Sequence, residues 1–256
     1  MKRNILIIAA VIISMTLNAC TINFDGEKMF GGETVKGNGN IVTRNYEVAG
    51  FNEISTSLPA TVNFTVGDEY KCTVSVDENL FDYIEIKVKD GELRLGRPKG
   101  HKNVNLHATE FIIEITAPRM EEVSLAGSGD INFLSPMNEK ELEVSLAGSG
   151  NVVFKDEVNV DHLELNVAGS GDIYIEKGNI REFEADIAGS GKIVSHADVQ
   201  EMDADVAGSG DITAKVNGKL DYFVAGSGDI KYYGDAQVSG KIAGSGSVKQ
   251  IDAPKR

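Results

Sequence analysis

The chain has no tryptophan, only two cysteines and four histidines, and 25 basic residues against 39 acidic ones in its 256 positions. Each shortage excludes something. Two cysteines, Cys20 and Cys72, build no disulfide framework, and if Cys20 is lipidated Cys72 has no partner within the chain. Cys72 sits in the alternating run Lys71-Cys-Thr-Val-Ser-Val76, so it reads as a small buried hydrophobe rather than a nucleophile. His101, His107, His162 and His196 are scattered and share no repeat position, which points to neither a catalytic triad nor a zinc site. A formal charge of −14 repels phosphate backbones and argues against nucleic acid as a partner; it leaves cations as the species attracted. Helical periodicity is missing too. Beyond the leader no segment repeats its apolar residues every three to four positions, so the chain reads as all-β.

What is abundant is glycine, 28 residues of it, and much of it lies in one tetrapeptide. Ala-Gly-Ser-Gly begins at Ala126, Ala147, Ala168, Ala188, Ala207, Ala225 and Ala243, at a period that tightens from 21 to 18 residues. Self-similarity at that period is the signature of a solenoid, whose coils are completed by their neighbours. The position before each Ala holds Leu, Val or Ile in all seven copies, from Leu125 to Ile242. The position five after it does so as well, from Ile131 to Val248. Apolar residues at every second place on both sides of a turn describe two strands facing one core. At the turn itself, side chains stacked at strand spacing must be very small, and glycine permits positive φ. The expected fold is a parallel β-helix of 18–21 residues per coil with two or three short strands each. Its return segments are expected to vary as loops do.

Residues 1–20 read as a leader: basic Lys2 and Arg3, an apolar run from Ile5 to Met15 too short to span a membrane, then Leu17-Asn-Ala-Cys20. That last run resembles a bacterial lipobox. The resemblance implies cleavage before Cys20 and a diacylglyceryl group on its thiol, holding the protein at a membrane without a transmembrane helix. The expected organisation is a signal peptide at 1–19, a polar, Gly-rich flexible tether at 20–38, a β-helical domain at 39–251 with regular repeats over 121–251, and a tail at 252–256. Before the repeats the chain is β-rich but irregular. Asp90-Gly91, between Glu85–Lys89 and Glu92–Leu95, is a strong hairpin signal, and Asp77 to Asp82 reads as a short helical turn. This part is expected to contribute less regular coils that cap one end, with the last coil, Lys241 to Ile251, capping the other. Pairing between copies through an exposed end coil is an expectation as well.

Two outward columns carry the candidate chemistry. Four before each Ala stand Glu122, Glu143, Glu164, Glu184, Asp203 and Asp221, then Ser239. Four after it stand Asp130, Asn151, Asp172, Lys192, Asp211, Asp229 and Ser247. Stacked carboxylates repel unless water, salt or a cation screens them, so either column reads as a solvated acidic wall or as a calcium ladder. The candidate metal residues are Asp130, Asp172, Asp211, Asp229, Glu143 and Glu164. Tyr222, Phe223, Tyr232 and Tyr233 form an aromatic cluster in the last coils; Phe223 and Tyr233 fall on outward columns and form a candidate sugar- or protein-binding patch. Gly-Ser-Gly lacks the Lys of a P-loop, the third Gly of a dinucleotide fingerprint and the spacing of a hydrolase elbow. A polysaccharide-processing site on an outer wall would need convergent carboxylates with Arg and aromatic platforms, and both of the latter are sparse.

The Ala-Gly-Ser-Gly-Asp-Ile repeats, with Phe51-Asn-Glu-Ile54, Asp77-Glu-Asn-Leu80, Asp90-Gly-Glu-Leu93 and Ile115-Thr-Ala-Pro118 before them, resemble the putative auto-transporter adhesin head GIN domain family. The resemblance runs from about Asn45 to Ile251. It implies a β-helical bacterial envelope protein with no catalytic residues to carry over; the lipid anchor makes the outer membrane the expected address, with its surface and periplasmic faces both open. Taken together, the sequence points to a non-enzymatic lipoprotein that displays an adhesin-like or structural module towards a protein or glycan ligand. A calcium-stabilised or carbohydrate-processing β-helix is the alternative.

Overall fold

Each corner of the wall is set by one carbonyl. The first glycine of every Ala-Gly-Ser-Gly has positive φ, from +107° at Gly127 to +150° at Gly244. This turns its C=O along the stack, where it accepts from the next coil. Gly127 O accepts from Ser149 N at 2.8 Å and from Gly150 N at 3.1 Å, and the pattern repeats to Ser245 and Gly246 on Gly226. The corner therefore bonds its neighbour through the serine's backbone N–H. A Cβ on Gly148 would lie 2.2 Å from Gly127 O, so only glycine allows the approach.

The computed structural model describes residues 33–253, so the leader, Cys20 and most of the tether lie outside the described residues. The chain enters through β1 (Thr34–Lys36) and β2 (Ile41–Tyr46). The first of these lies within the stretch expected to be flexible tether. It is tied down by a parallel ladder to residues 105–107, and Gly37 N donates to His107 O at 2.9 Å, which corrects the boundary. Then follow β3 (Glu53–Thr56), β4 (Thr61–Val66) and β5 (Lys71–Asp77), a 3₁₀ turn at Glu78–Tyr83, β6 (Glu85–Lys89), β7 (Glu92–Gly96), β8 (Asn105–His107) and β9 (Phe111–Ala117). The hairpin β6–β7 turns at Asp90-Gly91 with both residues at positive φ, as that dipeptide predicts.

The repeats are β10 (Glu122–Gly127), β11 (Asp130–Phe133), β12 (Met137–Gly148), β13 (Asn151–Gly169), β14 (Asp172–Gly189), β15 (Lys192–Gly208), β16 (Asp211–Gly226), β17 (Asp229–Tyr233), β18 (Gln237–Gly244) and β19 (Ser247–Gln250). They stack parallel and in register, Ala on Ala and Gly on Gly. The molecule is a β-solenoid with a less regular N-terminal part.

Stacking order is not chain order. β7 and β9 lie parallel on one edge of β3 and β4, while β10 and β11 lie on the other. The coil that comes first in sequence is thus held between two later ones. Beyond it, β5 runs antiparallel to β9, β2 to β5 and β6 to β7, which ends the parallel stack on that side. On the far side β18 is exposed along its whole length, with Val238 and Ile242 accessible.

Inside, the two predicted apolar columns meet. Val62, Ile131, Val152, Ile173, Ile193, Ile212 and Ile230 are all sealed from solvent. Two places along, Phe64 meets Phe133 edge-on with centroids 5.6 Å apart and Phe133 stacks on Phe154 at 4.2 Å, each pair contributing about 0.5–1.5 kcal/mol beyond its burial. The return segments are not loops, as expected, but a third wall. β13 to β16 continue through them, Val160, Ile180, Val199 and Val216 point into the core, and Asn138, Asn159 and Asn179 form a side-chain ladder with Nδ2–Oδ1 distances of 3.2 and 3.0 Å. The period shortens at the edge of this wall, where register shifts fall between Phe154 and Glu157 and between Ile175 and Asn179.

Candidate functional site: an acidic face

The acid column is longer than the repeats that revealed it. Because β7 and β3 stack beneath β10, Glu92 and Glu53 continue it, and the ladder runs Glu92, Glu53, Glu122, Glu143, Glu164, Glu184, Asp203, Asp221 before ending at Ser239. These are outward positions on one wall, one per strand, about 4.8 Å apart. A signal for the extension was present: Glu53-Ile-Ser-Thr and Glu92-Leu-Arg-Leu share the pattern of Glu122-Val-Ser-Leu.

Like charges at that spacing oppose ionisation. Glu122, Glu143, Glu184 and Asp203 are all raised above the usual carboxylate range, first by partial burial and further by neighbouring acids, with His162 opposing the rise at Glu184. A parallel column two residues on reads Ser124, Ser145, Asn166, Asp186, Asp205, Phe223, Lys241. In it burial and the surrounding acids push Asp186 up to about 7 and Asp205 to about 6. Near neutrality this part of the face shares protons, which limits its own repulsion. The ladder's last acid differs: Asp221 accepts from Lys219 Nζ and Ser239 Oγ, and these bonds hold it low.

A third column brings in the histidine that shared no repeat position. Glu141, His162, Glu182, Glu201 and Lys219 lie opposite one another on successive strands. His162 is thus an outward neighbour of the acid ladder, with Nδ1 3.6 Å from Glu182 Oε2. Ligand-capable atoms of His162, Glu164 and Glu184 all lie within 4.8 Å of one another. This cluster adjoins an open groove of about 1050 Å³, lined by Glu53, Arg119, Glu122, Glu143, His162 and Glu164 among others. A carboxyl poised near 7 is also what a general acid requires, but Asp186 is not among the residues lining this groove.

The second acidic column has a structural task. Asp130 Oδ1 accepts from Asn151 N at 3.0 Å and Asn151 Nδ2 at 2.8 Å, Asp211 Oδ1 from Asp229 N at 3.0 Å, and Asp229 Oδ1 from Ser247 N at 2.9 Å and Oγ at 2.7 Å. Each carboxylate satisfies the first backbone donor after the corner of the next coil, which accounts for these three positions without an ion. Asp172 accepts instead from the Tyr174 hydroxyl at 3.1 Å. Of the six candidate metal residues, Glu143 and Glu164 share the acidic face, while the four Asp stand on the wall after the corner.

The aromatic patch is not assembled. Phe223 precedes the corner, half-buried on β16, while Tyr233 follows the next strand's start and is buried, its hydroxyl 2.8 Å from His196 Nδ1. The two-residue alternation holds through β17, with Tyr232 in register with buried Ala214 and Tyr233 with Lys215, but Tyr233 is nevertheless covered on its own side, beside His196. Cys72 is free and buried, and burial pushes its thiol up to about 12, far from a reactive thiolate.

Comparison with known proteins supports the same architecture. A putative lipid binding protein from Parabacteroides distasonis is 29% identical, with TM-score 0.74 over 86% of this chain and 100% of its own. A putative adhesin from the same species is 28% identical, with TM-score 0.73 over the same shares. A putative adhesin from Bacteroides fragilis shares the fold at 24% identity and TM-score 0.74, covering 85% of this chain and 100% of its own. No functionally curated protein matches. A family model matches residues 50–236, and the chain belongs to the family described as putative auto-transporter adhesin, head GIN domain.

Proposed function

We propose that this is a non-enzymatic binding module of the bacterial envelope, held at the outer membrane by a lipid on Cys20, and that its acidic face is the surface it offers to a protein or glycan ligand. The observation that carries the reading is the unbroken ladder from Glu92 to Asp221. Natural sheets place like charges opposite one another at a cost, and eight in a row on one wall is more than solubility requires. The rest of the chain fits display. The wall is a stiff stack of register-locked strands, so the backbone that carries its carboxylates needs no ordering on binding.

Two measurements test it. Cells fed a clickable fatty-acid analogue should label the wild-type protein and not a Cys20→Ala variant, which should leave the membrane fraction. Equal labelling of both would remove the anchor. On protein and glycan arrays, a chain carrying Glu53→Gln, Glu122→Gln and Glu143→Gln together should lose what the wild type retains. Undiminished retention would remove the face.

A further inference from the structure

We propose that His162, Glu164 and Glu184 bind one divalent transition-metal ion of the Zn²⁺ type at the head of the groove. This goes beyond the reading of the face as a docking wall, and stands or falls separately from it.

The argument starts from the backbone. Glu164 and Glu184 are register partners on β13 and β14, and His162 lies two residues before Glu164, on the same outward side of the same strand. Three donors from two adjacent parallel strands need no loop to close around them. Their ligand atoms already lie within 4.8 Å of one another. Bonds of about 2.0–2.2 Å to a common centre require those atoms to draw together by roughly 1 Å, within reach of side-chain rotation alone.

The donor set chooses the ion. Ca²⁺ takes six to eight oxygens, whereas an imidazole with two carboxylates suits Zn²⁺ and its neighbours. A ligating histidine is commonly steadied by a carboxylate on its other ring nitrogen, and Glu182 Oε2 stands 3.6 Å from Nδ1. Glu182 is then a positioning residue, with Nε2 left for the ion. The set is also incomplete in a useful way. His162 and Glu164 line the groove, so an ion there keeps a coordination position open towards it, for water or for an oxygen of a bound molecule. Three protein ligands with one open position leaves the ion free to take a further ligand, as a closed structural site would not.

The test uses the full chain in detergent, stripped with chelator and titrated with Zn²⁺ alone by calorimetry. One saturable equivalent is expected, with the His162 ring resonances moving in step with occupancy. His162→Ala and Glu184→Gln should each weaken binding by at least about tenfold, and Glu182→Gln by about tenfold. Glu85→Gln, on the hairpin at the end of the stack, should change nothing. Weak multi-site uptake that His162→Ala does not alter, that Ca²⁺ matches, or that leaves the His162 ring unmoved would mean the wall merely gathers counterions, and would overturn the site.

Discussion

Asp186 and Asp205 stand opposite one another on adjacent parallel strands, and both hold their protons far above the ordinary aspartate range, at about 7 and about 6. Burial is the larger cause, and the carboxylates of Asp203, Glu164 and Glu184 around them add to it. The fold therefore keeps two acids side by side only by leaving them partly neutral.

This sets the sign of a pH dependence. Between about 4, where unfolded aspartate titrates, and about 7, the folded chain carries more protons than the unfolded one, so stability falls as pH rises through that window. Tm should be higher at pH 5.5 than at pH 8. Asp186→Asn should raise Tm at pH 8, by about 2–4 °C for each kcal/mol of repulsion relieved, and should flatten the slope. A slope of opposite sign, or a variant that melts lower at pH 8, would show that these carboxyls are ionised and paired.

The corner glycines should not be equivalent. Gly127 needs positive φ, but a Cβ there meets nothing within 4 Å. Gly127→Ala should cost about 1–2 kcal/mol of backbone strain. Gly169 needs the same φ, and its Cβ would lie 2.4 Å from Gly148 O. Gly169→Ala must move a neighbouring coil and should cost more than about 4 kcal/mol. Denaturant melts of the two variants separate strain from stacking, and equal losses would contradict the corner geometry.

Asp130 offers a test of the second column. Asp130→Ala leaves Asn151 N and Nδ2 without their acceptor, at a cost of about 1–2 kcal/mol. Chelator should have no influence on that loss. If chelation lowers the wild-type Tm to the variant's, the carboxylate is holding an ion instead.

Tyr233 should behave as core. Tyr233→Phe removes the contact with His196 Nδ1 and should cost about 1 kcal/mol, while Tyr233→Ala should cost about 3–5 kcal/mol. Lost ligand retention at unchanged stability would restore the aromatic patch.

Much of this was legible in the sequence because a repeat states its own register. Seven aligned alanines put Leu125, Ile131 and their counterparts on the inside in all but the last coil, where Ile242 is exposed, and Glu122 to Asp221 in one outward column. Two kinds of fact were hidden. Stacking order is set by which edges are free rather than by chain order, so Glu53 and Glu92 joined the ladder unseen. Likewise His162 recurs as histidine in no other coil, so aligning the repeats did not single it out, although it stands two residues before Glu164 on the same side of the strand. Alternation placed Tyr233 in register with Lys215 but could not show that the side chain is buried there, beside His196.

The most direct test of envelope display is protease shaving of intact cells, blotted for this protein beside a periplasmic control. The account predicts that the solenoid is lost while the control survives. Protection of both until the outer membrane is broken would contradict it, and would place the acidic face where no external ligand could reach it.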